Sequence, residues 1–274
     1  MRTRIPIRFA LFHAGSKLSY LRYMTFATLR HHHPEAEITL FTTTKYNRTA
    51  HNWNVEKQDF EVDIQGMDFK NKLHKLNVEI VVLENFFPDE NPVFQSDFFR
   101  WWWLSTFGGF YLDTDQIILK PFSTLPLDKE FIYSEYCTNS CGRYYPVGVI
   151  GSAQGGLVAT VAHQVVTRCR DNNDYNSTGP WMLKKIAKHL KLTKHNSFDA
   201  PYNYFYPIAE SSQMESVYKG HYRTSEAFKY ILKDAYSFHW FGGMARSQEF
   251  NRMLTPYNID LKQNMVCDLI KGNK

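Results

Sequence analysis

The stretch FFRWWWLSTFGGFYLDTDQ, residues 98–116, constrains the fold of this chain more than any other. Its spacing predicts a helix over Asp97–Phe107 capped by Ser96. Apolar side chains occupy nearly the whole circumference of that helix, and a helix apolar all round must be buried. Gly108 is placed to end it in the left-handed conformation, and Gly109 to allow a close turn into a strand opened by Phe110, Tyr111 and Leu112. In extended chain Asp113 and Asp115 lie on one side while Thr114 faces away.

Two carboxylates on one side repel unless a cation joins them. A hard divalent ion held by carboxylate oxygens keeps coordination sites for phosphate and water. Asp97 and Arg100, three residues apart, share one face of the buried helix, where each needs a partner. Sugar hydroxyls would supply part of that need.

The order of elements sets the fold class. A strand over Ile5–His13, a helix over Leu18–His32, a strand over Glu37–Thr43 and a strand over Val78–Leu83 alternate in the manner of a parallel α/β sheet. Further strands are expected near Phe131–Tyr133 and Val147–Ile150, and helices over Gly156–Arg168 and from Pro180 onward, the latter capped by Thr178 or Ser177. His31, His32 and His33 read as a solvated helix end, where partial positive charge is favourable. No repeat or linker divides the chain, so residues 1–274 are expected to form one domain.

Composition excludes several functions. A hydrophobic share of 43% with 16% aromatic residues requires a packed core. A net charge of +5 without a basic stripe does not fit a dedicated nucleic-acid binder; it suits anionic substrates or peripheral contact with a membrane surface. Four scattered cysteines make no disulfide framework, and Cys137 and Cys141 lack the second pair that a zinc site needs. No window reaches the length of a membrane span, and the opening residues read as a strand rather than a leader. The sequons at Asn47 and Asn176 then predict nothing, and the expected location is cytoplasmic.

The segment SDFFRWWWLSTFGGFYLDTDQIILKPF resembles the signature region of the DXD-containing sugar-transfer glycosyltransferases, the group of the yeast-type initiating mannosyltransferases and α-1,4-glycosyltransferases. The clostridial glucosylating toxins share a similar core. The matched pattern is Ser-Asp, then Arg, Leu, Gly-Gly, Tyr, Asp-x-Asp and Lys-Pro. Looser similarity extends to His13-Ala14-Gly15, Thr178-Gly179-Pro180 and His239-Trp240 with Gly242-Gly243, the last without the family's Ser-Trp pair beyond the histidine.

The resemblance implies a GT-A fold, a Rossmann-like mixed sheet flanked by helices. It also implies transfer of a hexose or hexosamine from a nucleotide-sugar, a UDP-sugar first and GDP-mannose second. The acceptor would be a glycan, a lipid-linked saccharide or a protein, and the anomeric configuration would be retained. By the same resemblance Asp115, Asp113 and His239 would hold Mn²⁺ or Mg²⁺. Asp97, Arg100 and Asp113, with His13, Ala14, Thr178, Gly179 and Trp240, would hold the donor. Glu210 and Asp234 are candidate nucleophiles for a covalent route to retention. Two other readings of the paired aspartates are a metal-dependent phosphohydrolase and a non-catalytic nucleotide-sugar-binding protein.

Overall fold

The computed structural model describes residues 4–47, 67–138, 142–192, 196–208, 211–220 and 226–273. Cys141, Glu210 and part of the first sequon lie outside them. Strands β1 (Arg8–Ala14) and β2 (Glu37–Thr43) flank helix α1 (Tyr20–His32), and β3 (Glu79–Val82) precedes helix α2 (Pro92–Phe107). Then come β4 (Gly109–Leu112), β5 (Gln116–Ile118), β6 (Phe131–Ser134), the hairpin β7 (Tyr136–Thr138) and β8 (Gly142–Tyr144), and β9 (Val149–Ser152). Helices α3 (Leu157–Val165) and α4 (Pro180–Leu190) lead to β10 (Ser197–Ala200). The chain continues through α5 (Ser211–Tyr218), α6 (Glu226–Leu232), β11 (Ser237–His239), α7 (Ala245–Met253) and α8 (Met265–Gly272).

Seven strands form the central sheet in the order β10-β6-β9-β4-β1-β2-β3. All neighbours are parallel except β9, which runs antiparallel to both β4 and β6. Helices cover both faces, so inward positions alternate between two apolar layers. Ala10, Phe12, Tyr111 and Ile150 pack with α2, α3 and α4 on one face. Phe9, Leu11, Phe110, Leu112 and Val149 pack with α1 on the other. A third cluster joins α5, α7 and α8 to the two-stranded β5–β11 ribbon, which hangs beside the sheet and carries His239. Among the described residues no helix is long and apolar enough to cross a membrane.

Several local expectations change. Helix α2 starts at Pro92, with Asn91 accepting from the Val93 and Phe94 amides, because Asn-Pro makes a better start than Ser96. Ser96 therefore sits inside the helix. The buried face is broad, yet Trp102 is half-buried and Phe107 is exposed where the helix leaves the core. Gly108 has φ 70° and ψ 177°, outside the left-handed helical region but in one that glycine alone adopts readily. A Cβ there would lie 2.5 Å from the Gln154 amide nitrogen, and one on Gly109 would lie 2.5 Å from Arg8 Cγ. Both glycines are thus required by space as well as by conformation.

Asp113 and Asp115 do not share an extended strand, because β4 ends at Leu112 and the chain turns through Thr114 and Asp115. Helix α4 is capped by Gly179 without a side-chain bond; the Thr178 hydroxyl is engaged elsewhere. The histidine run is only partly solvated: His33 is buried against Phe9 and Phe122, and its Nε2 accepts from the Phe122 amide.

Candidate active site

A cleft of about 580 Å³ opens where β1 and β4 end, between the β5–β11 ribbon and the β7–β8 hairpin. Its floor is the turn after β4. Asp113, Asp115 and His239 each offer a ligand atom there, all within 4.8 Å of one another. The turn is held from several sides. The Asp113 amide donates to Gly148 O at 2.8 Å, and Thr25 Oγ1 donates to Thr114 O at 2.8 Å. Arg22, from α1, donates to the Thr114 hydroxyl and lays its guanidinium over the Trp240 ring, 5.4 Å from its centroid.

Asp115 is buried, and its two oxygens have separate duties. Oδ2 accepts from the Gly242 amide at 2.7 Å, while Oδ1 faces His239 Nε2 at 3.0 Å. The Gly242-Gly243 pair therefore orients a carboxylate 127 residues earlier in the chain. Burial acts to raise the Asp115 pKa, but His239, Arg22 and the Gly242 amide outweigh it and hold the carboxyl well below its ordinary range. For His239, burial acts to lower the pKa and the Asp115 carboxylate prevails, raising it. Its Nδ1 is buried without a hydrogen-bond partner. Two carboxylates and an imidazole, gathered this closely, form a donor set that suits a divalent cation.

Above the floor stands a second carboxylate cluster. Arg100 Nε meets Asp97 Oδ1 at 3.0 Å, and its Nη2 lies 3.4 Å from Asp113 Oδ1. The same guanidinium donates to Val147 O and Ser96 Oγ and stacks over Tyr111, whose hydroxyl donates to Asp113 Oδ1 at 2.9 Å. Asp97 is buried and accepts from the Thr178 hydroxyl at 2.6 Å. Burial raises its pKa to about 6 against the opposing pull of Arg100 and Thr178. A Cβ on Gly148 would come within 2.6 Å of Asp113 Oδ2, so this glycine keeps that oxygen clear.

The expected site residues thus divide into two groups. His13, Ala14, Asp97, Arg100, Asp113, Asp115 and His239 line the cleft. His13 does so as a neutral ring: burial, with Arg22 nearby, pushes its pKa down to about 3, and its Nε2 bonds to Lys17 O at 2.8 Å. Thr178, Gly179 and Trp240 are buried behind the wall. Thr178 reaches the site through Asp97, and Trp240 through Arg22 and through its amide, which donates to Asp115 O at 3.0 Å. Asp234 is exposed and does not line the cleft.

Sequence reasoning missed Arg22, Ser96, Gly148 and Tyr206 as parts of the site. Tyr206 is fully buried, accepts from the Val149 amide and borders the cleft beside His239. Ser96 and Tyr111 stood inside the matched motif, so a signal existed for them. Arg22 carried none, since 92 residues separate it from Thr114.

Residues 22–132 match the family described as the glycosyltransferase sugar-binding region containing the DXD motif. None of the curated proteins matches the chain. Among solved structures, the glycosyltransferase GlyE of Streptococcus pneumoniae TIGR4 superposes with a TM-score of 0.50 at 14% identity, over 97% of this chain and 62% of that one. The PaToxG glycosyltransferase gives 0.49 at 15% identity, over 98% of this chain and 87% of that one. The galactosyltransferase LgtC, solved with donor and acceptor sugar analogues, gives 0.41 at 12% identity, over 93% and 100% of the two chains. The fold is that of the GT-A glycosyltransferases, and the stretch that carries Asp113 and Asp115 lies within the residues that match the DXD-containing glycosyltransferase region.

Proposed function

We propose that this chain, as one catalytic domain, moves a hexose or hexosamine from a nucleoside diphosphate sugar to an acceptor hydroxyl, with a divalent cation and with retention of configuration. The single observation that carries the reading is the convergence of Asp113, Asp115 and His239 at the floor of a cleft whose next layer is the Asp97–Arg100 pair. UDP-sugars are the first donor class and GDP-mannose the second; the acceptor is a glycan, a lipid-linked saccharide or a protein. The reaction is assigned to the cytoplasm.

The donor set fits Mn²⁺ or Mg²⁺, and its imidazole favours Mn²⁺. When bound, the cation would neutralise charge that develops on the departing diphosphate. The protein's own groups do the rest. Gly242 and Arg22 fix the carboxylate of Asp115, and Tyr111 and Arg100 fix that of Asp113. Asp97 and Arg100 present a carboxylate oxygen and a guanidinium edge to the hydroxyls of the transferred sugar. In the transfer, the bond from the anomeric carbon to the diphosphate oxygen breaks and a bond to the acceptor oxygen forms.

Among the described residues the carboxylates lining the cleft are Asp97, Asp113 and Asp115, each already engaged. That supports attack from the leaving-group face, with the acceptor's hydroxyl proton passing to the departing diphosphate, over a covalent carboxylate intermediate.

The test is calorimetric titration of UDP and of GDP, each with and without Mn²⁺, on wild type and Asp115→Asn. Mn²⁺-dependent binding of one nucleotide, lost in the variant, is the expected result. If neither nucleotide binds under any metal condition, the reading fails.

A further inference from the structure

The charged groups occupy one side of the cleft; the other is aromatic. Tyr136 on β7 and Tyr144 on β8 are cross-strand partners with ring centroids 5.3 Å apart. Trp181, in the first turn of α4, meets Tyr144 edge to face at 5.5 Å and 89°. Tyr175 and Asn176, from the loop before α4, complete this wall, and the Tyr144 hydroxyl donates to Asn176 Oδ1 at 3.0 Å.

Three features separate this wall from ordinary core. None of its rings belongs to the three hydrophobic clusters that pack the protein. Tyr136, Tyr144 and Trp181 are only half-buried, and Tyr175 keeps 40% of its surface in contact with solvent. All of them line the cleft that holds Asp113, Asp115 and His239. Rings left outside the core and gathered at one cleft are held there for a ligand rather than for stability.

The chemistry of the wall selects that ligand. None of the residues that line the cleft on this side is a lysine, arginine, aspartate or glutamate. The neighbouring cation, Lys184, is spent over the Trp181 ring at 5.4 Å from its centroid, so a phosphate or carboxylate finds no dedicated partner here. Each ring carries a hydroxyl or an N–H, so the wall is a poor trough for an acyl chain. A pyranose, in contrast, presents C–H faces to lie on aromatic rings and hydroxyl edges for groups such as the Asn176 carboxamide.

We propose that Tyr136, Tyr144, Tyr175 and Trp181 form the acceptor subsite, and that the acceptor is a neutral oligosaccharide whose end stacks on this wall, facing the donor sugar. The proposal rests on the transferase reading above. It narrows the acceptor from three classes to one, and a lipid carrier or polypeptide would have to present the same neutral sugar to be used.

The experiment uses the full chain on a printed array of neutral oligosaccharides, anionic oligosaccharides and lipid-linked phosphates, with and without UDP, GDP and Mn²⁺. Wild type is expected to retain at least one neutral oligosaccharide. Trp181→Ala should lower that retention about tenfold and Trp181→Phe less, as expected for lost aromatic contact. Calorimetric binding of the nucleotide with Mn²⁺ should stay within about twofold of wild type, because Trp181 supplies no ligand atom to the Asp113–Asp115–His239 cluster. If Trp181→Ala does not fold, as judged by circular dichroism, Trp181→Phe and the exposed position in Tyr175→Ala carry the test.

Retention of anionic or lipid-linked probes alone, retention of none, or retention unchanged by the variants overturns the subsite. A protein that binds no nucleotide but keeps Trp181-dependent oligosaccharide retention would overturn the transferase reading and leave the subsite standing.

Discussion

The two sides of the cleft are built on opposite principles. On the floor and in the layer above it, Arg100 is buried and shared among Asp97, Asp113, Val147 O and Ser96, and Asp115 has both oxygens engaged. Charge of that density survives burial only when each group is paired, so the floor is rigid and its parts depend on one another. On the aromatic wall, half-exposed rings meet tilted or edge to face, and a hydroxyl-to-carboxamide bond ties Tyr144 to Asn176. On the proposed reading the floor serves one donor geometry and the wall receives a range of sugars, so preorganisation is concentrated where charge would develop in the transfer.

Substitutions can break this contrast, and the largest effect belongs to the floor. Asp115→Asn removes the charge that Gly242 and Arg22 orient, and should lower turnover about a thousandfold while the fold persists. Release of nucleoside diphosphate from the donor checks it. Arg100→Met comes next. It leaves Asp97 buried with only Thr178 as partner, and should cost about 3–5 kcal/mol in urea unfolding. Adding Asp97→Asn should recover part of that loss; if the two changes simply add, the pair is not a coupled unit.

A smaller effect is set by pH. Burial raises Asp97 to about 6, so its carboxylate gains a proton as pH falls through that value and loses acceptor capacity. Affinity for a UDP-sugar relative to UDP should fall by up to about tenfold per pH unit below 6. Measuring both ligands cancels any titration of the metal site. In Asp97→Asn the ratio should be flat with pH; a slope that survives that substitution would assign the titration to another group.

The same contrast explains what could be read from the sequence. The floor is encoded over a short span: most of the helix, the glycine pair and the two aspartates lie within residues 96–121, so one helix and strand bring them together. The aspartates nevertheless sit in the turn after the strand and not in the extended chain that their spacing implied. Even there, the helix start was displaced to Pro92, since the stronger cap lay just upstream. The groups that complete the floor come from afar. Arg22 arrives from α1, Gly148 from the approach to β9 and Thr178 from the approach to α4, and only the order of strands in the sheet brings them together. The wall was invisible for the same reason. Tyr136, Tyr144 and Trp181 read individually as ordinary aromatic residues, and the β7–β8 pairing that aligns two of them has no strong local signal.

The smallest effect gives the sharpest comparison. Tyr144→Phe keeps the ring and removes only the hydroxyl that donates to Asn176. On a wall built for binding, this should cost about two- to tenfold in oligosaccharide retention, the worth of one net hydrogen bond, and shift Tm by only a few degrees. On a wall built for stability Tm falls by those same few degrees, but retention by the folded fraction stays unchanged. Thermal unfolding and the array, run on the same preparation, separate the two, because ring packing is the same in both proteins and only the hydroxyl differs.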